Sequence, residues 1–405
     1  MNYSEAKEKL EKYGQQQLLR FYDELSEEEA QALLAEIDKI DFSVLEGKEK
    51  DISTSVFTPL KALTAEEIEK RKDSFFEKGI EAIRQGKLAC VLLAGGQGTR
   101  LGFDGPKGTL NVGVTKELYL FEMLINNAKE VAAKAGCAFP IYIMTSEKNN
   151  AATVRFFNEH NFFGYDKNMI HFFIQEMSPA TDYDHKVYLE GKGHVSLSPN
   201  GNGGWYRSLR LNGLYDDIKA QGIEWFNVFG VDNGLQIVAD PYFLGAVLES
   251  GDDLGAKVIK KAFPTEGLGV ICYRDGKPSI VEYYDLTDEM LEAKDENGEL
   301  SYNFGVILNY LFNIEALEKI AGENLPLHIV KKKIPHLDEA GNFIKPEEPN
   351  GYKYETLVLD MIEMMDNCLV YEVIREKEFA PIKNLHGVDS LDSARELYAK
   401  NNIEL

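Results

Sequence analysis

A glycine-rich stretch in the first third of the chain combines residues that suit phosphate chemistry. Residues 93–108 read LAGGQGTRLGFDGPKG and contain six glycines, with Arg100 and Lys107 seven positions apart. Glycine backbone N–H groups can surround phosphate oxygens without interference from side chains. Two cations in such a loop would neutralise the charge of a bound triphosphate. The stretch therefore predicts a nucleotide- or phosphate-binding loop, and the alternative is a solvated surface turn.

The stretch does not match the two common phosphate-binding patterns. The dinucleotide pattern GxGxxG fails because Gly96 and Gly98 are followed by Leu101 where the last glycine should stand. The P-loop pattern fails because Lys107 follows Pro106 and precedes a glycine. What remains is a nonstandard loop with two cations.

Apolar patterns around the loop predict the elements that hold it. The run KLACVLLAGG, which ends at Gly96, is typical of a strand buried on both faces of a parallel sheet. Helical and strand patterns then alternate, starting with LYLFEMLINNAKEVAAKAG and PIYIMTS. Further along the chain, YRSLRLNGLYDDIKAQG and YETLVLDMIEMMDNC are each predicted to be helical. Such alternation indicates an α/β fold with a mixed, mostly parallel sheet, and it places the loop at the C-terminal end of a strand.

The same patterns predict three segments along the chain. Ser26 with Glu29 and Thr64 with Glu67 match the capping box that begins a helix. We therefore expect an α-helical N-terminal segment at residues 1–86. Residues 87–375 are expected to form the central domain, and residues 376–405 a short C-terminal segment.

Charge and composition exclude several functional classes. The 405 residues include 44 Lys and Arg against 67 Asp and Glu, and the formal net charge of -23 should repel nucleic acid and anionic membranes. The four cysteines form no zinc or disulfide pattern. No apolar run suits a membrane span or a signal peptide. We expect a cytoplasmic protein without nucleic-acid or membrane partners, and the sequence leaves its oligomeric state open.

Motifs spread over most of the chain resemble those of the UDP-sugar pyrophosphorylases, in particular the eukaryotic-type UDP-N-acetylhexosamine pyrophosphorylases. In that family's order, the glycine-rich loop is followed by IMTS, FFIQEMSPA, PNGNGGWYRSL, VDN, GAKVIKKAFPTEGLGVICYRDG, VEYY, KKIPHLD, IKPEEPNGYKYE and YEVIREKEFAPIKN. The resemblance covers the chain from Thr54 to Asn384. It implies that residues 87–375 form a Rossmann-like, GT-A-like nucleotidyltransferase domain.

The resemblance also implies a reaction and its charged residues. Family members transfer a uridylyl group from UTP to a sugar 1-phosphate with the help of Mg²⁺, and they release pyrophosphate. This implies Arg100 at the leaving pyrophosphate, Lys107 at the α-phosphate and Lys383 as a further lysine at the phosphates. Asp232 of VDN is the implied Mg²⁺ ligand, whereas an Asp after a strand is otherwise most often a cap or turn residue.

Two further groups of residues are implied by the resemblance. Backbone and amide groups can meet the donors and acceptors of a uracil edge, and carboxylate, amide and aromatic groups suit a sugar. From the residue types alone, the amide side chains that the resemblance implies for uracil would belong to ordinary loop or strand-end residues. The implied uracil group is Ala94, Gly95, Gly96, Gln175, Asn202 and Gly203. The implied sugar group is Gly269, Glu282, Tyr283 and Asn303.

One position departs from the family pattern and leaves the sugar open. The family's NAGN is replaced here by residues 303–306, NFGV, so that Val306 stands where an amide is expected near the sugar. We expect N-acetylglucosamine 1-phosphate as the acceptor, with glucose 1-phosphate or another hexose 1-phosphate as the alternative. A further hypothesis is a nucleotide-sugar-binding protein without turnover.

Overall fold

The structure is a computed structural model that describes residues 1–47 and 54–405. Contacts divide the chain into two compact units, each built from three stretches. The small unit comprises Met1–Thr54, Gln175–Gly204 and Asn324–Val358, and the large unit comprises Ser55–Ile174, Trp205–Glu323 and Leu359–Leu405. The segments 1–86, 87–375 and 376–405 stay a prediction.

The described residues include helices of very different length. The α-helices are α1 (Tyr3–Lys12), α2 (Glu27–Lys39), α3 (Ala65–Arg84), α4 (Leu120–Ala135), α5 (Asn150–Glu159), α6 (Trp205–Leu211), α7 (Tyr215–Ala220), α8 (Pro241–Ser250), α9 (Asp288–Glu292), α10 (Ile314–Ile320), α11 (Val358–Glu363), α12 (Arg375–Glu378) and α13 (Leu391–Lys400). Short 3₁₀ helices are Gln16–Leu19, Tyr22–Glu24, Phe42–Glu46, Thr99–Leu101, Lys107–Thr109, Asn161–Gly164 and Lys167–Met169. Over the described ranges, no helix has the length and apolarity that a bilayer crossing requires.

The strands are mostly short, and the longest belong to the large unit. In the described part of the chain they are β1 (Phe57–Pro59), β2 (Leu88–Leu93), β3 (Ile141–Thr145), β4 (Ile170–Ile174), β5 (Met177–Pro179), β6 (Leu189–Gly191), β7 (His194–Val195), β8 (Leu197–Pro199), β9 (Trp225–Gly230), β10 (Leu254–Lys260), β11 (Val270–Arg274), β12 (Lys277–Val281), β13 (Phe304–Asn313), β14 (His328–Lys332), β15 (His336–Leu337), β16 (Phe343–Ile344), β17 (Gly351–Glu355) and β18 (Leu369–Glu372).

The apolar faces of the N-terminal helices build the core of the small unit. Helix α2 begins at the predicted capping box of Ser26 and Glu29. Residues of α1 and α2 pack with apolar residues of β6 and β7 in one buried cluster, which includes Leu10, Leu33, Ile37, Leu189 and Val195. Antiparallel pairs β5–β8, β6–β7, β14–β17 and β15–β16 belong to the same unit.

A mixed sheet forms the centre of the large unit. Strands β4, β3, β2 and β9 lie side by side in that order and pair in parallel. Every residue of β2, β3 and β9 is buried, as the continuous apolar run of β2 predicts. Beyond β9, strand β13 runs antiparallel and pairs with β10 and β11, while β10 and β18 pair in parallel. The predicted α/β class with a mixed sheet is confirmed.

The order of the parallel strands creates a switch point in the sheet. From β2 the chain proceeds to β3 and β4 on one side, and it later returns to place β9 on the other side of β2. In open α/β sheets, ligands bind where the strand order reverses, outside the C-terminal ends of the strands. The glycine-rich loop after β2 and Asp232 after β9 flank this point.

Candidate active site

The glycine-rich loop, residues 94–108, is closed by its own backbone. The Gly98 N–H donates to the Gly105 carbonyl oxygen at 3.0 Å, and the Lys107 N–H donates to the Gly96 carbonyl oxygen at 3.1 Å. Phe103 lies against the inside of the loop, because a Cβ atom at Gly98 would be 2.6 Å from its Cδ1 atom. The loop is therefore internally packed and differs from a solvated surface turn.

A close contact between the loop and helix α4 positions Lys107. Lys107 begins the 3₁₀ helix Lys107–Thr109, and the following residue, Gly108, lies over the ring of Phe121. A Cβ atom at Gly108 would be 2.2 Å from the Phe121 Cζ atom. Only glycine fits this approach without displacing a buried aromatic ring.

Asn149 ties the start of the loop to the end of β3. This completely buried side chain donates from Nδ2 to the carbonyl oxygens of Ala94 at 2.9 Å and Gly96 at 3.3 Å. Its Oδ1 atom accepts from the Ser146 N–H at 2.8 Å. Asn149 was missed in the sequence analysis, and its signal is a polar residue soon after a buried strand that ends at the same edge of the sheet.

Asp232 and Lys383 are brought together by pairing between two segments that are distant in sequence. We call residues 231–240 the VDN loop and residues 378–384 the Lys383 segment. The Ile382 N–H donates to the Asp232 carbonyl oxygen at 2.9 Å. The Asn233 side chain donates to the Glu378 carbonyl oxygen at 2.7 Å and accepts from the Ala380 N–H at 3.0 Å.

A residue in a strained conformation lies beside Asp232. Leu308 in β13 has φ +55°, a left-handed conformation that is costly for a branched side chain. It lies where the pairing of β10 with β13 shifts register. A Cβ atom at Gly230 would be 2.5 Å from Leu308 Cδ2 and 2.8 Å from Asp232 Oδ1. Strained backbone of this kind is typical of functional sites.

Lys107 faces Asp232 in a site that is dominated by cations. Its Nζ atom lies 3.9 Å from Asp232 Oδ2, and the two side chains are 15% and 27% exposed. Burial lowers the pKa of the Lys107 ammonium; Asp232 opposes this shift, and Arg100 and Lys383 add to it. An anion bound among these groups would relieve the repulsion between the cations. Such an arrangement of charges suits the binding of phosphates.

The other two cations differ in how firmly they are held. The Lys383 Nζ atom lies 3.0 Å from Asp389 Oδ2, and the Lys383 N–H donates to the Asp389 carbonyl oxygen at 2.7 Å. Arg100, in the 3₁₀ helix Thr99–Leu101, is exposed. Asp389 was not predicted from the sequence, because its local signal is no more than an acidic residue six positions after a lysine in a loop.

The remaining implied uracil residues belong to the small unit. Gln175 is buried. The Asn202 Oδ1 atom accepts from the Val358 N–H at 2.9 Å, and the Gly203 N–H donates to the Thr356 carbonyl oxygen at 2.8 Å. The side-chain oxygen of Asn202 thus accepts a backbone hydrogen bond. The side-chain NH₂ group of Asn202 is the donor that suits a uracil carbonyl.

Of the implied sugar group, Glu282 lies close to Gly269 in the large unit, and Val306 lies beside both. A Cβ atom there would be 3.5 Å from Glu282 Oε2 and 3.7 Å from Val306 Cγ2. The Val306 N–H donates to the Gly269 carbonyl oxygen at 2.9 Å. Tyr283 is 52% exposed, and the Asn303 Oδ1 atom accepts from the Lys261 N–H at 3.1 Å. Val306 therefore borders the same space as Glu282.

The oxygen donors of the site suit a magnesium ion that is shared with a substrate. Over residues 1–47 and 54–405, no group of three or more His, Cys, Asp or Glu side chains could hold a metal ion. Magnesium typically binds one or two carboxylates together with substrate phosphates and water. The partly exposed carboxylate of Asp232, next to cations that attract phosphate, fits this requirement.

The chain is similar to known proteins over most of its length. The model of the UTP–glucose-1-phosphate uridylyltransferase family matches residues 40–405. The human UDP-N-acetylhexosamine pyrophosphorylase-like protein 1 is 37% identical over 417 residues, which cover 96% of this chain and 82% of the relative. The UDP-N-acetylglucosamine pyrophosphorylase of Saccharomyces cerevisiae is 36% identical over 412 residues, which cover 97% and 86%.

A solved structure shows that the similarity extends to the fold. The uridine diphosphate N-acetylglucosamine pyrophosphorylase from Trypanosoma brucei, solved with an inhibitor, superposes with a TM-score of 0.83 at 26% identity. The match covers 97% of this chain and 83% of that chain. The predicted nucleotidyltransferase fold and the predicted uridylyltransferase class are confirmed. The chain therefore belongs to the UTP–glucose-1-phosphate uridylyltransferase family.

Proposed function

We propose that this uridylyltransferase forms UDP-N-acetylglucosamine and pyrophosphate from UTP and N-acetylglucosamine 1-phosphate, with Mg²⁺ as cofactor. The observation that carries the proposal is the arrangement of Lys107, Asp232 and Lys383 beside the closed glycine-rich loop. Support for the acceptor comes from the names of the yeast and Trypanosoma brucei relatives.

The proposed reaction is a single displacement at phosphorus. An oxygen of the sugar phosphate attacks the α-phosphorus of UTP in line with the bond to the leaving oxygen. The new P–O bond forms as the bond to pyrophosphate breaks, and the electron pair leaves with pyrophosphate. Because the substrates supply both nucleophile and leaving group, the protein must mainly position anions and neutralise charge.

Each cation has a role that its surroundings support. Lys107 is mostly buried, so its charge acts in a low local dielectric, and we assign it to the α-phosphate. Lys383 is held by Asp389 and would be drawn toward the phosphates when UTP binds. Arg100 is exposed, and we assign it to the pyrophosphate because this product must leave the site for solvent. The backbone of Ala94, Gly95 and Gly96 is assigned to uracil.

Asp232 would hold the magnesium ion. When bound, Mg²⁺ would neutralise the negative charge that develops on the phosphate oxygens. The Asp232 carbonyl oxygen accepts from the Ile382 N–H, which anchors the backbone of Asp232 to the Lys383 segment. The Lys107 ammonium, 3.9 Å away, keeps this carboxylate from being an isolated negative charge at the edge of the sheet.

The position of Val306 keeps glucose 1-phosphate as a second candidate acceptor. The side chain borders the space beside Gly269 and Glu282 and offers no hydrogen bond to an acetamido group. Replacing Val306 with Asn should raise the kcat/KM ratio of N-acetylglucosamine 1-phosphate to glucose 1-phosphate several-fold. An unchanged ratio would remove Val306 from the choice of sugar.

The proposed function is tested by pyrophosphate release. Purified protein with Mg²⁺ and UTP is assayed against N-acetylglucosamine 1-phosphate, glucose 1-phosphate and other hexose 1-phosphates. We expect the highest kcat/KM with the first. Tight binding of UDP-sugars without turnover of any acceptor would instead support the nucleotide-sugar-binding hypothesis. A cytoplasmic location and the lack of nucleic-acid and membrane partners stay predictions.

A further inference from the structure

A lysine is completely buried beneath the VDN loop. Lys257, in β10, has no exposed side-chain surface. Its Nζ atom lies 2.7 Å from Asp240 Oδ2 and 2.6 Å from Glu378 Oε2, and these two side chains are 4% and 9% exposed. Charged side chains are almost never buried to this degree unless they are paired. We call these three residues the Lys257 cluster.

The Lys257 cluster contains one cation and two carboxyl groups. Burial raises the pKa of Glu378, and the Asp240 carboxylate raises it further, while Lys257 opposes the shift. Burial disfavours the charge of Lys257, but the two carboxyl groups outweigh it and raise its pKa. Burial therefore favours the neutral form of Glu378, while Lys257 remains paired with both carboxyl groups.

The two carboxyl groups of the Lys257 cluster come from the two segments that carry Asp232 and Lys383. Asp240 closes the VDN loop and caps helix α8, where it accepts from the Tyr242 N–H at 2.9 Å. Glu378 begins the Lys383 segment. Lys257 therefore joins both segments to β10, a strand whose residues 254–259 are all buried.

Direct contacts continue from the cluster to the candidate site. Glu378 Oε2 accepts from the Ile237 N–H at 3.3 Å, and the Glu378 carbonyl oxygen accepts from Asn233 Nδ2 at 2.7 Å. The chain from Glu378 then reaches Ile382, whose N–H donates to the Asp232 carbonyl oxygen. Lys383 is the next residue, so one short series of contacts connects the Lys257 cluster with Asp232 and Lys383.

We infer that Lys257 is a positioning residue: by holding Glu378 and Asp240 together, it fixes the spacing between Asp232 and Lys383. The inference rests on the proposed function. A displacement of about 1 Å between catalytic groups is large enough to slow a reaction that depends on geometry. A role in stability alone would instead lower the unfolding temperature and leave turnover of the folded protein unchanged.

The test compares variants that keep the buried volume and remove the ion pairs. Lys257→Met alone leaves both buried carboxyl groups without their cation. Lys257→Met/Asp240→Asn is made as well, because it leaves only Glu378, whose neutral form burial favours. Tyr165→Phe is the control, since it removes buried hydrogen bonds with Phe139 in the same unit away from the candidate site. For each variant the unfolding temperature, kcat, and KM for UTP are measured well below unfolding.

We expect the double variant to lose at least tenfold in kcat with less than a threefold change in KM for UTP. Tyr165→Phe should unfold at a lower temperature and keep its kcat. Independently of turnover, hydrogen–deuterium exchange should become faster in peptides that contain residues 378–384 of the double variant. Wild-type kcat and wild-type exchange in the double variant would overturn the inference. Absence of turnover in the wild type would refute the proposed function, while the exchange measurement would still judge the positioning role.

Discussion

The glycine-rich loop and the pair formed by the VDN loop and the Lys383 segment present charges at the same edge of the sheet, but they are held in different ways. The loop is closed by its own backbone and packed on the rings of Phe103 and Phe121. The pair of segments is joined by buried polar groups, including Asn233 and the Lys257 cluster. Apart from the hydrogen bonds of Asn149, the first region depends on contacts that are local or apolar. The second depends on polar contacts between residues far apart in sequence.

This difference predicts how each region responds to mutation. Substitutions in a packed loop should cause steric clashes, which lower the free energy of unfolding of the protein. Substitutions in a region joined by buried polar contacts should displace its charged groups. A buried polar group left without its partner costs free energy and shifts its neighbours. The following predictions test the contrast, starting with the largest effect.

Lys107→Ala should reduce kcat roughly 10²–10³-fold, because its charge is most important when negative charge develops in the transition state. The KM for UTP should change much less. Steady-state kinetics with saturating sugar 1-phosphate measure both values. Equal effects on kcat and on the affinity for UTP would show that Lys107 acts on the bound substrate alone.

Gly108→Ala should lower the free energy of unfolding by about 1–3 kcal/mol, because the new methyl group would overlap the Phe121 ring. Gly96→Ala is the matched control for stability, since no heavy atom lies within 4 Å of a Cβ atom at that position. Denaturant unfolding of both variants provides the comparison. If the two lose the same stability, packing on Phe121 does not hold the loop.

Asn149→Ala should raise the KM for UTP about five- to tenfold, since it removes the hydrogen bonds to the Ala94 and Gly96 carbonyl oxygens. Its effect on kcat should be smaller, because the variant keeps the hydrogen bond from the Lys107 N–H to the Gly96 carbonyl oxygen and the contact of Gly108 with Phe121. Initial rates at varied UTP measure this split. A loss confined to kcat would contradict a role in shaping the nucleotide-binding part of the loop.

Asp389→Asn should have the smallest effect, a two- to threefold change in kcat. The partly exposed pair between Lys383 and Asp389 is weak, and the backbone contact between these residues remains. Activity at low and high ionic strength is the measurement, with Asp392→Asn as a control on the exposed pair with His386. A loss as large as that of Lys107→Ala would mean that Asp389 acts directly in the site.

Much of the fold could be predicted from apolar periodicity. The buried run of β2 and the alternation that follows it correctly indicate an α/β sheet. The helix expected over YRSLRLNGLYDDIKAQG is instead two helices, α6 and α7, separated at Gly213, where φ is +76°. The helix expected over YETLVLDMIEMMDNC is shortened to α11, because its first residues belong to β17, which pairs with β14. Strand pairing of this kind depends on distant residues and overrides local propensity.

The candidate site was only partly predictable. Arg100 and Lys107 could be selected from residue types and spacing, since both lie in one glycine-rich stretch. Asp232 and Lys383 were implied only by the family resemblance. Asn149, Asp389 and Lys257 were missed, because nothing in their local sequence distinguishes them from ordinary polar residues.

By itself, the sequence determined the nucleotide chemistry and the class of fold. Glycines and cations concentrated in one loop after an apolar strand are local features, and local features can be read from residue types. Only the tertiary structure decided which distant residues meet Lys107, and how a fully buried lysine connects Asp232 with Lys383. The reason is physical: hydrogen bonds and ion pairs between distant segments exist only once the sheet has folded and excluded water from them.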